Sequence, residues 1–172
     1  NLGVSPTEST WTMRNAKGEV VSTELYTPKS FFEKFVNEDF SKYYMIMNDP
    51  TREYHKVYEI EYDRHVYDGE NWKYLNLPME EIAQMAIASI KDSTMMYFSC
   101  DVGKFLDRNK GYLDIENFDY ASLFGTSFKM TKEERVATFA SGSSHAMTLC
   151  AVDLDANGKP IKWMVENSWG SS

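Results

Sequence analysis

Apolar and polar residues alternate along several segments of the chain, and this two-residue period is typical of β-strands. The alternation is clean at residues 72–77, and short apolar runs rich in β-branched and aromatic residues extend the signal elsewhere. We predict strands around residues 57–63, 72–77, 95–100, 145–153 and 160–168. A further hairpin is predicted at 11–22 with its turn at 15–18, and 40–47 is an additional strand candidate.

Three segments place apolar residues at helical spacing behind residues that suit a helix N-terminus. Thr27 suits the N-cap position and is followed by Pro28, and Thr131 with Glu134 has the pattern of a capping box. We predict helices at 28–37, 79–92 and 132–140. Several strands with hairpin-length links and few helices indicate an α+β fold, in which an antiparallel sheet curls into a partial barrel.

The composition is that of a folded chain with an acidic surface. Hydrophobic residues make up 42% of the 172 residues, which is enough for one core. Lys and Arg number 18 and Asp and Glu number 26, a net charge of −8 that disfavours binding to nucleic acid or anionic lipid. No apolar stretch approaches the ~18 residues needed to cross a membrane. We therefore expect no nucleic-acid partner and no membrane partner.

Cys100 and Cys150 are the only cysteines, and neither belongs to a C-x-x-C pair. Two cysteines in a chain of this length do not make a disulfide framework, and each lies in an apolar run. We interpret both as buried thiols in a reducing compartment, which favours a cytoplasmic location.

His145 stands at the head of an apolar strand in a chain with only three histidines. It is either a core histidine satisfied by backbone carbonyls or an acid/base group that needs a nucleophile and an orienting partner. Asn167 is the candidate partner. An Asn side chain orients an imidazole without adding charge, which suits a nucleophile acidic enough to form an ion pair with histidine, namely cysteine.

The turn at residues 155–159 decides whether Asn167 shares a face of the sheet with His145. A two-residue loop would place Asn167 opposite Thr148, on the other face. A three-residue loop at 156–158, with a left-handed glycine, would place Asn167 opposite Met147, on the same face. The functional interpretation therefore predicts the three-residue loop or an equivalent bulge. Trp169 would then cover the His–Asn pair, or serve as an ordinary hydrophobic lid.

The segments "SSHAM" and "VENSWG", which contain His145 and Asn167, resemble the His and Asn segments of papain-like cysteine peptidases. The segments "YHKVYEIEYDRHVYDGENWKYLNLPMEEIAQMAIASIKD", "YFSCDVGKF" and "LFGTSFKMTKEER" resemble the C-terminal half of the bleomycin hydrolase/aminopeptidase C family. The resemblance covers nearly the whole chain. It implies a papain-like fold and a Cys–His–Asn site in which His145 is the acid/base and Asn167 orients its ring.

The same resemblance implies an activity and an assembly. The family removes N-terminal residues from peptides, so we expect a peptide as substrate. We expect no cofactor and no metal. It forms homo-oligomers of the hexamer type whose active sites face an enclosed cavity. Residues 1–50 match the end of the family's helical insertion, which takes part in subunit contacts, and residues 51–172 match its β-barrel domain. Aromatic residues of the first region are either interface anchors or core: Phe31, Phe32, Phe35, Tyr43 and Tyr44.

The family's nucleophile lies in a Gly-x-Cys-Trp segment that this sequence lacks. Cys150 follows His145 by five residues, so it points to the opposite face of the strand, roughly 16 Å away. Cys100 lies on a predicted buried strand, where its thiol would stay protonated. We therefore expect the chain, cut at both ends, to be the acid/base half of a larger peptidase, with the nucleophile upstream.

Two alternatives remain open from the residues. The first is a non-catalytic papain-like binding or assembly module, which the missing cysteine favours and the presence of both His145 and Asn167 opposes. The second is a metal site, either around His55 and His65 or along the acidic loop region. The acidic candidates are Glu59, Glu61 and Asp63 beside the histidines, and Asp101, Asp107, Asp114, Glu116 and Asp119 in the loops. Solvated carboxylates are the simpler interpretation, since no metal-ligand spacing is present.

Overall fold

The computed structural model describes residues 6–169, which fold as two compact units that divide between Tyr43 and Tyr44. The sequence placed the division after residue 50. Residues 44–50 belong to the second unit because the strand Ile46–Met47 pairs there with Lys73–Asn76. The role of the first region in subunit contacts stays a prediction.

The first unit is a β-hairpin followed by helical turns. Its elements are β1 (Ser9–Arg14), β2 (Val20–Tyr26), α1 (Pro28–Phe31), a π-helical segment (Phe32–Val36) and a 3₁₀ turn (Phe40–Lys42). Gly18 lies in the hairpin turn with φ +82°, which confirms the predicted hairpin. The predicted helix at 28–37 begins as expected, with Thr27 and Ser30 forming a capping box, but it widens to π geometry after α1.

Aromatic rings form the core of the first unit. Tyr26 is only 7% exposed and packs edge-on against Phe31 and Phe35, whose ring centroids lie 5.8 Å and 5.5 Å away. Phe32 contacts Phe40 instead, with a centroid distance of 6.0 Å. These contacts favour the core interpretation for Phe31 and Phe35.

The second unit contains the remaining strands and helices, arranged in small sheets. In chain order they are β3 (Ile46–Met47), β4 (Lys56–Glu59), β5 (Lys73–Asn76), α2 (Met79–Lys91), β6 (Met96–Cys100), β7 (Leu106–Asp107), β8 (Tyr112–Leu113), α3 (Tyr120–Phe124), α4 (Lys132–Ala137), β9 (His145–Leu154) and β10 (Pro160–Glu166). One sheet has the antiparallel order β10-β9-β6, another has the order β3-β5-β4, and β7 pairs with β8. The described residues form no closed barrel, and β3 runs parallel to β5, which the antiparallel expectation did not include.

Two predicted elements end early because a turn intervenes. β4 stops at Glu59 rather than at residue 63, since Asp63 donates its N–H to the carbonyl of Ile60 and Tyr62 adopts φ +65°. α4 carries the predicted Thr131–Glu134 capping box but ends at Ala137, because Phe139 adopts φ +58°.

The core of the second unit lies on the inner face of β9, against which α2 packs. Met147 and Leu149 are buried there and stand opposite Phe98 and Met96 of β6. This alternation places every second residue of β9 on the inner face, and His145 begins the same series.

A single buried amide joins the loop before β4 to the end of β5. Asn76 is 0% exposed, and its Oδ1 accepts the backbone N–H of Asp49 at 2.8 Å. Its Nδ2 donates to the carbonyls of Asp49, Arg52 and Glu53 at 2.9, 3.3 and 3.2 Å. The buried side chain of Asn76 thus has its hydrogen bonds satisfied by the backbone of this loop and ties the loop to β5.

Candidate active site

The turn between β9 and β10 is the predicted three-residue loop. Asp155 donates its N–H to the carbonyl of Lys159 at 2.9 Å, and Gly158 donates to the carbonyl of Asp155 at 3.0 Å. Gly158 has φ +79°, the left-handed conformation expected of the third loop residue. The loop prediction is therefore confirmed.

Two bulges in the β9–β10 ladder compensate each other between this loop and the site. Pro160 stands opposite Leu154 at the loop, the register then shifts by one residue, and it shifts back between Met164 and Val165. Glu166 consequently stands opposite Thr148. The pairing at Glu166 therefore has the same register as the pairing beside the loop. Asn167 consequently lies on the face of the sheet that carries His145.

His145 and Asn167 are joined by a hydrogen bond of 2.9 Å between Nε2 and Oδ1. The same Oδ1 accepts the backbone N–H of Ser168 at 2.8 Å, which identifies this atom of the amide as the oxygen. Because the oxygen only accepts, Nε2 carries the proton in the neutral ring, and Nδ1 is the nitrogen with a lone pair. The pair therefore presents Nδ1 as a proton acceptor.

Trp169 lies against the imidazole of His145, and its role as a cover for the His–Asn pair stays a prediction. Its ring stacks on the imidazole of His145 with a centroid distance of 4.5 Å and an interplanar angle of 28°. The indole is 49% exposed, so one part shields His145 while another meets solvent. The guanidinium carbon of Arg108 lies 5.4 Å from the same indole centroid.

The start of β9 is fixed by contacts that the sequence did not reveal. Ser144 donates its N–H to the carbonyl of Cys100 at 2.9 Å, and its Oγ accepts the N–H of the buried Val102 at 3.1 Å. Ser99 donates from Oγ to the carbonyl of His145 at 3.1 Å. These bonds hold the backbone of His145 to β6 and so fix the direction in which its side chain leaves the strand. The only feature of the sequence that could have indicated these contacts is the pair of serines directly before His145.

A cavity of about 220 Å³ opens beside His145. Trp169, Ser144 and Arg108 contribute to its wall, together with the apolar side chains of Val102 and Leu106. The cavity brings an oriented imidazole, an aromatic surface and a cation to one place, which is large enough for a small part of a peptide. No sequence pattern indicated that Arg108 lines this cavity, because its position near Trp169 depends on the β7–β8 hairpin, which is distant from Trp169 along the chain.

Neither cysteine thiol forms a hydrogen bond with His145. Cys100 is its cross-strand neighbour in the β6–β9 register, yet the thiol makes no hydrogen bond to the imidazole. Burial, and secondarily the charge of Asp101, raises the pKa of the Cys100 thiol, which keeps it in the unreactive protonated form. Cys150 donates its S–H to the carbonyl of Met164 at 3.3 Å.

The described part of the chain contains no cluster of side chains that would support either metal-site hypothesis. No group of three or more His, Cys, Asp or Glu side chains among residues 6–169 is arranged to hold a metal ion. Nε2 of His55 bonds to Glu81 at 2.9 Å, whereas His65 packs edge-on against Trp72 with centroids 4.6 Å apart. Because β4 ends at Glu59, Glu61 and Asp63 lie beyond this strand.

Four of the five loop acids considered for calcium accept hydrogen bonds from their own turns or neighbours. The accepting pairs are Asp101 with Ser141, Asp107 with the N–H groups of Asn109 and Lys110, Asp114 with the N–H of Glu116, and Asp119 with the N–H of Ser122. Such bonds stabilise turns and helix N-termini.

Within residues 6–169, no helix has the length and apolar character that spanning a membrane requires.

Comparison with known proteins gives a consistent result. The model of the Peptidase C1-like family matches residues 1–172. Aminopeptidase C of Streptococcus thermophilus is 37% identical over 171 residues, which are 98% of this chain and 38% of that protein. Aminopeptidase G of Lactobacillus delbrueckii subsp. lactis is 41% identical over 144 residues, 84% of this chain and 33% of that protein.

The crystal structure of PepW from Lactobacillus rhamnosis HN001 superposes with a TM-score of 0.85 at 36% identity, covering 96% of this chain and 37% of that one. This similarity confirms the predicted α+β, papain-like class of fold. The chain spans less than two fifths of the length of the proteins named here. Because the family model covers the whole chain and relatives share more than a third of its residues, the chain belongs to the Peptidase C1-like family.

Proposed function

We propose that this chain supplies the acid/base half of a cysteine aminopeptidase. The observation that carries the proposal is the 2.9 Å bond from Nε2 of His145 to Asn167, which leaves Nδ1 as a proton acceptor beside a cavity. The nucleophilic cysteine is proposed to lie upstream in a longer protein. Two facts support this: no cysteine here is followed by tryptophan, and the chain spans 38% of a relative named aminopeptidase C.

In the proposed mechanism His145 moves protons in both halves of the reaction. Nδ1 first takes the proton of the cysteine thiol, and the thiolate attacks the carbonyl carbon of the peptide bond. The imidazolium then donates its Nδ1 proton to the leaving amine as the carbon–nitrogen bond breaks. In the second half Nδ1 removes a proton from water, which attacks the thioester and releases the acid and the thiol.

Asn167 and Trp169 act as positioning residues in this mechanism. Asn167 holds the imidazole in the tautomer that exposes Nδ1, and its neutral oxygen avoids fixing the ring as a permanent cation. Trp169 excludes water from one face of the ring, which strengthens the hydrogen bond in the region of lower dielectric beneath the indole.

The substrate and setting are proposed from the relatives. Their names as aminopeptidases support a peptide substrate cleaved at its N-terminal residue. We further propose a homo-oligomer in the cytoplasm. The alternative, a non-catalytic module, is favoured by the absence of a Cys-Trp pair from this sequence, and the raised pKa of the Cys100 thiol means that this cysteine does not replace the missing nucleophile.

The test uses the full-length protein that contains this chain and a fluorogenic alanyl amide. We expect hydrolysis that iodoacetamide abolishes and that His145→Ala lowers by more than 100-fold, since His145 takes part in every proton transfer. His55→Gln is the matched control, because that histidine also bonds to a side-chain oxygen but lies outside the cavity. Full activity in His145→Ala, or no hydrolysis by the full-length protein, would contradict the proposal.

A further inference from the structure

Arg108 lies in the tight turn between β7 and β8, in which several hydrogen bonds connect Asp107 to the residues that follow it. Oδ1 of Asp107 accepts the N–H groups of Asn109 and Lys110 at 3.0 and 3.1 Å, and Gly111 donates to the carbonyl of Asp107 at 2.9 Å. The other carboxylate oxygen of Asp107 pairs with Lys110 at 3.6 Å. The one acid next to Arg108 in sequence is therefore already engaged.

The guanidinium of Arg108 lies beside the imidazole–indole stack. Its Cζ is 5.4 Å from the centroid of Trp169, whose ring covers His145. Arg108 is exposed and lines the same 220 Å³ cavity as His145. Among the described residues of that wall, it is the only one with a permanent charge.

No carboxylate in the described part of the chain forms an ion pair with Arg108. Asp101, which precedes the cavity residue Val102, accepts from Oγ of Ser141 at 2.6 Å and pairs with Lys104 at 3.5 Å. The cavity wall therefore carries a positive charge, whereas the chain as a whole has a net charge of −8.

We propose that Arg108 determines specificity by binding a carboxylate on the leaving part of the peptide substrate. The inference rests on the proposed function, because His145 donates its proton to the leaving nitrogen. The leaving peptide must therefore begin within hydrogen-bond distance of Nδ1 and continue through the cavity that Arg108 lines. The carboxylate that Arg108 binds is either the C-terminal carboxylate of the leaving peptide or the side chain of an aspartate or glutamate at the first residue of that peptide.

The chemistry of arginine suits this role better than that of lysine. The guanidinium is planar, so two of its N–H groups can meet the two oxygens of a carboxylate. Its attraction to the indole of Trp169, with Cζ 5.4 Å from the ring centroid, favours this position before the substrate arrives and so reduces the entropy lost on binding.

The kinetic test compares matched substrates in the full-length protein. Alanyl-alanine against its C-terminal amide tests the terminal carboxylate, and alanyl-aspartyl amide against alanyl-asparaginyl amide tests the side chain. We expect about a fivefold to tenfold preference for the acid in at least one pair, expressed mainly in KM. Arg108→Gln should remove the preference, and Arg108→Lys should retain part of it.

Lys110→Gln is the matched control, since it removes one positive charge from the same turn without touching the cavity wall. It should leave the preference unchanged. A preference that survives Arg108→Gln, or that Lys110→Gln lowers equally, would overturn the proposal, as would equal hydrolysis of acid and amide by the unaltered protein.

A binding measurement separates this inference from the proposed function. The 172-residue chain is titrated with aspartyl-alanine amide and asparaginyl-alanine amide, which stand for the leaving peptide, while NMR follows the indole N–H of Trp169. The aspartyl peptide should bind about fivefold more tightly, less so at high salt, and Arg108→Gln should abolish the difference. Equal binding would refute the role of Arg108 even if the enzyme is active, whereas absent hydrolysis with selective binding would refute only the proposed function.

Discussion

Asn167 accepts a hydrogen bond from His145 across 2.9 Å because a left-handed glycine nine residues earlier sets the register of the hairpin that joins them. The loop at residues 156–158 and the two compensating bulges in the β9–β10 ladder bring both side chains to one face. The His–Asn pair is therefore a property of one hairpin, and Trp169 is added from the residues that follow β10.

Asn167→Ala should lower kcat/KM of the full-length protein about 100-fold, because the imidazole loses the acceptor that fixes its tautomer and direction. The fold should remain intact, since the lost bond lies at the edge of the sheet. Steady-state kinetics with circular dichroism makes the measurement. Asn157→Ala, in the exposed loop, is the control, and kinetics unchanged in Asn167→Ala would contradict an orienting role.

Gly158→Ala should lower the free energy of unfolding by about 1 kcal/mol, since an alanine at φ +79° is strained although no atom lies within 4 Å of the added Cβ. Gly142→Ala is the control: it also has open space, and its φ lies outside the left-handed region. Urea unfolding compares the two. Equal stability of both variants would show that the loop does not require the left-handed conformation.

Cys100 should react slowly with iodoacetamide at neutral pH, and its rate should rise only as the pH passes the ordinary range for a thiol. Burial raises the pKa of this group, so the thiolate forms at higher pH in the folded chain than in the unfolded one. Folding stability should accordingly fall as the pH rises through the pKa of the unfolded thiol, where only the unfolded state loses its proton.

Mass spectrometry of the modified thiol after timed labelling measures this rate, with urea-unfolded protein as the reference. Fast labelling of folded Cys100 that disappears in His145→Ala would mean that the imidazole activates the thiol. In that case the nucleophile need not lie upstream.

Asn76→Asp should destabilise the second unit by about 2–4 kcal/mol. The change is isosteric, but it places a carboxylate where an amide donates to three backbone carbonyls in a site that is 0% exposed. Chemical denaturation of the 172-residue chain gives the value. Asn71→Asp, whose amide donates to Glu59 in an exposed position, should cost less, and equal losses would argue against the buried network.

Much of the fold was accessible from local patterns. The alternation at residues 72–77, the capping pair Thr131 and Glu134, and the turn residues before β10 all act over a few residues. Their elements are where the sequence predicted them, with ends that differ by a few positions. The predicted length of β4 was wrong because residues 60–63 form a turn that the alternation of apolar and polar residues does not reveal.

By itself, the sequence determined that a hairpin with its turn at residues 155–159 joins the strand of His145 to that of Asn167, because turn residues and strand parity act within one short segment. The structure decided between a two-residue and a three-residue loop and revealed the two bulges in the ladder. Only the tertiary structure decided that Cys100 stands opposite His145 without bonding to it, and that Arg108 reaches Trp169. Those contacts join distant parts of the chain. Their geometry follows from the packing of β6, β7 and β8 against the rest of the unit, which no local pattern records.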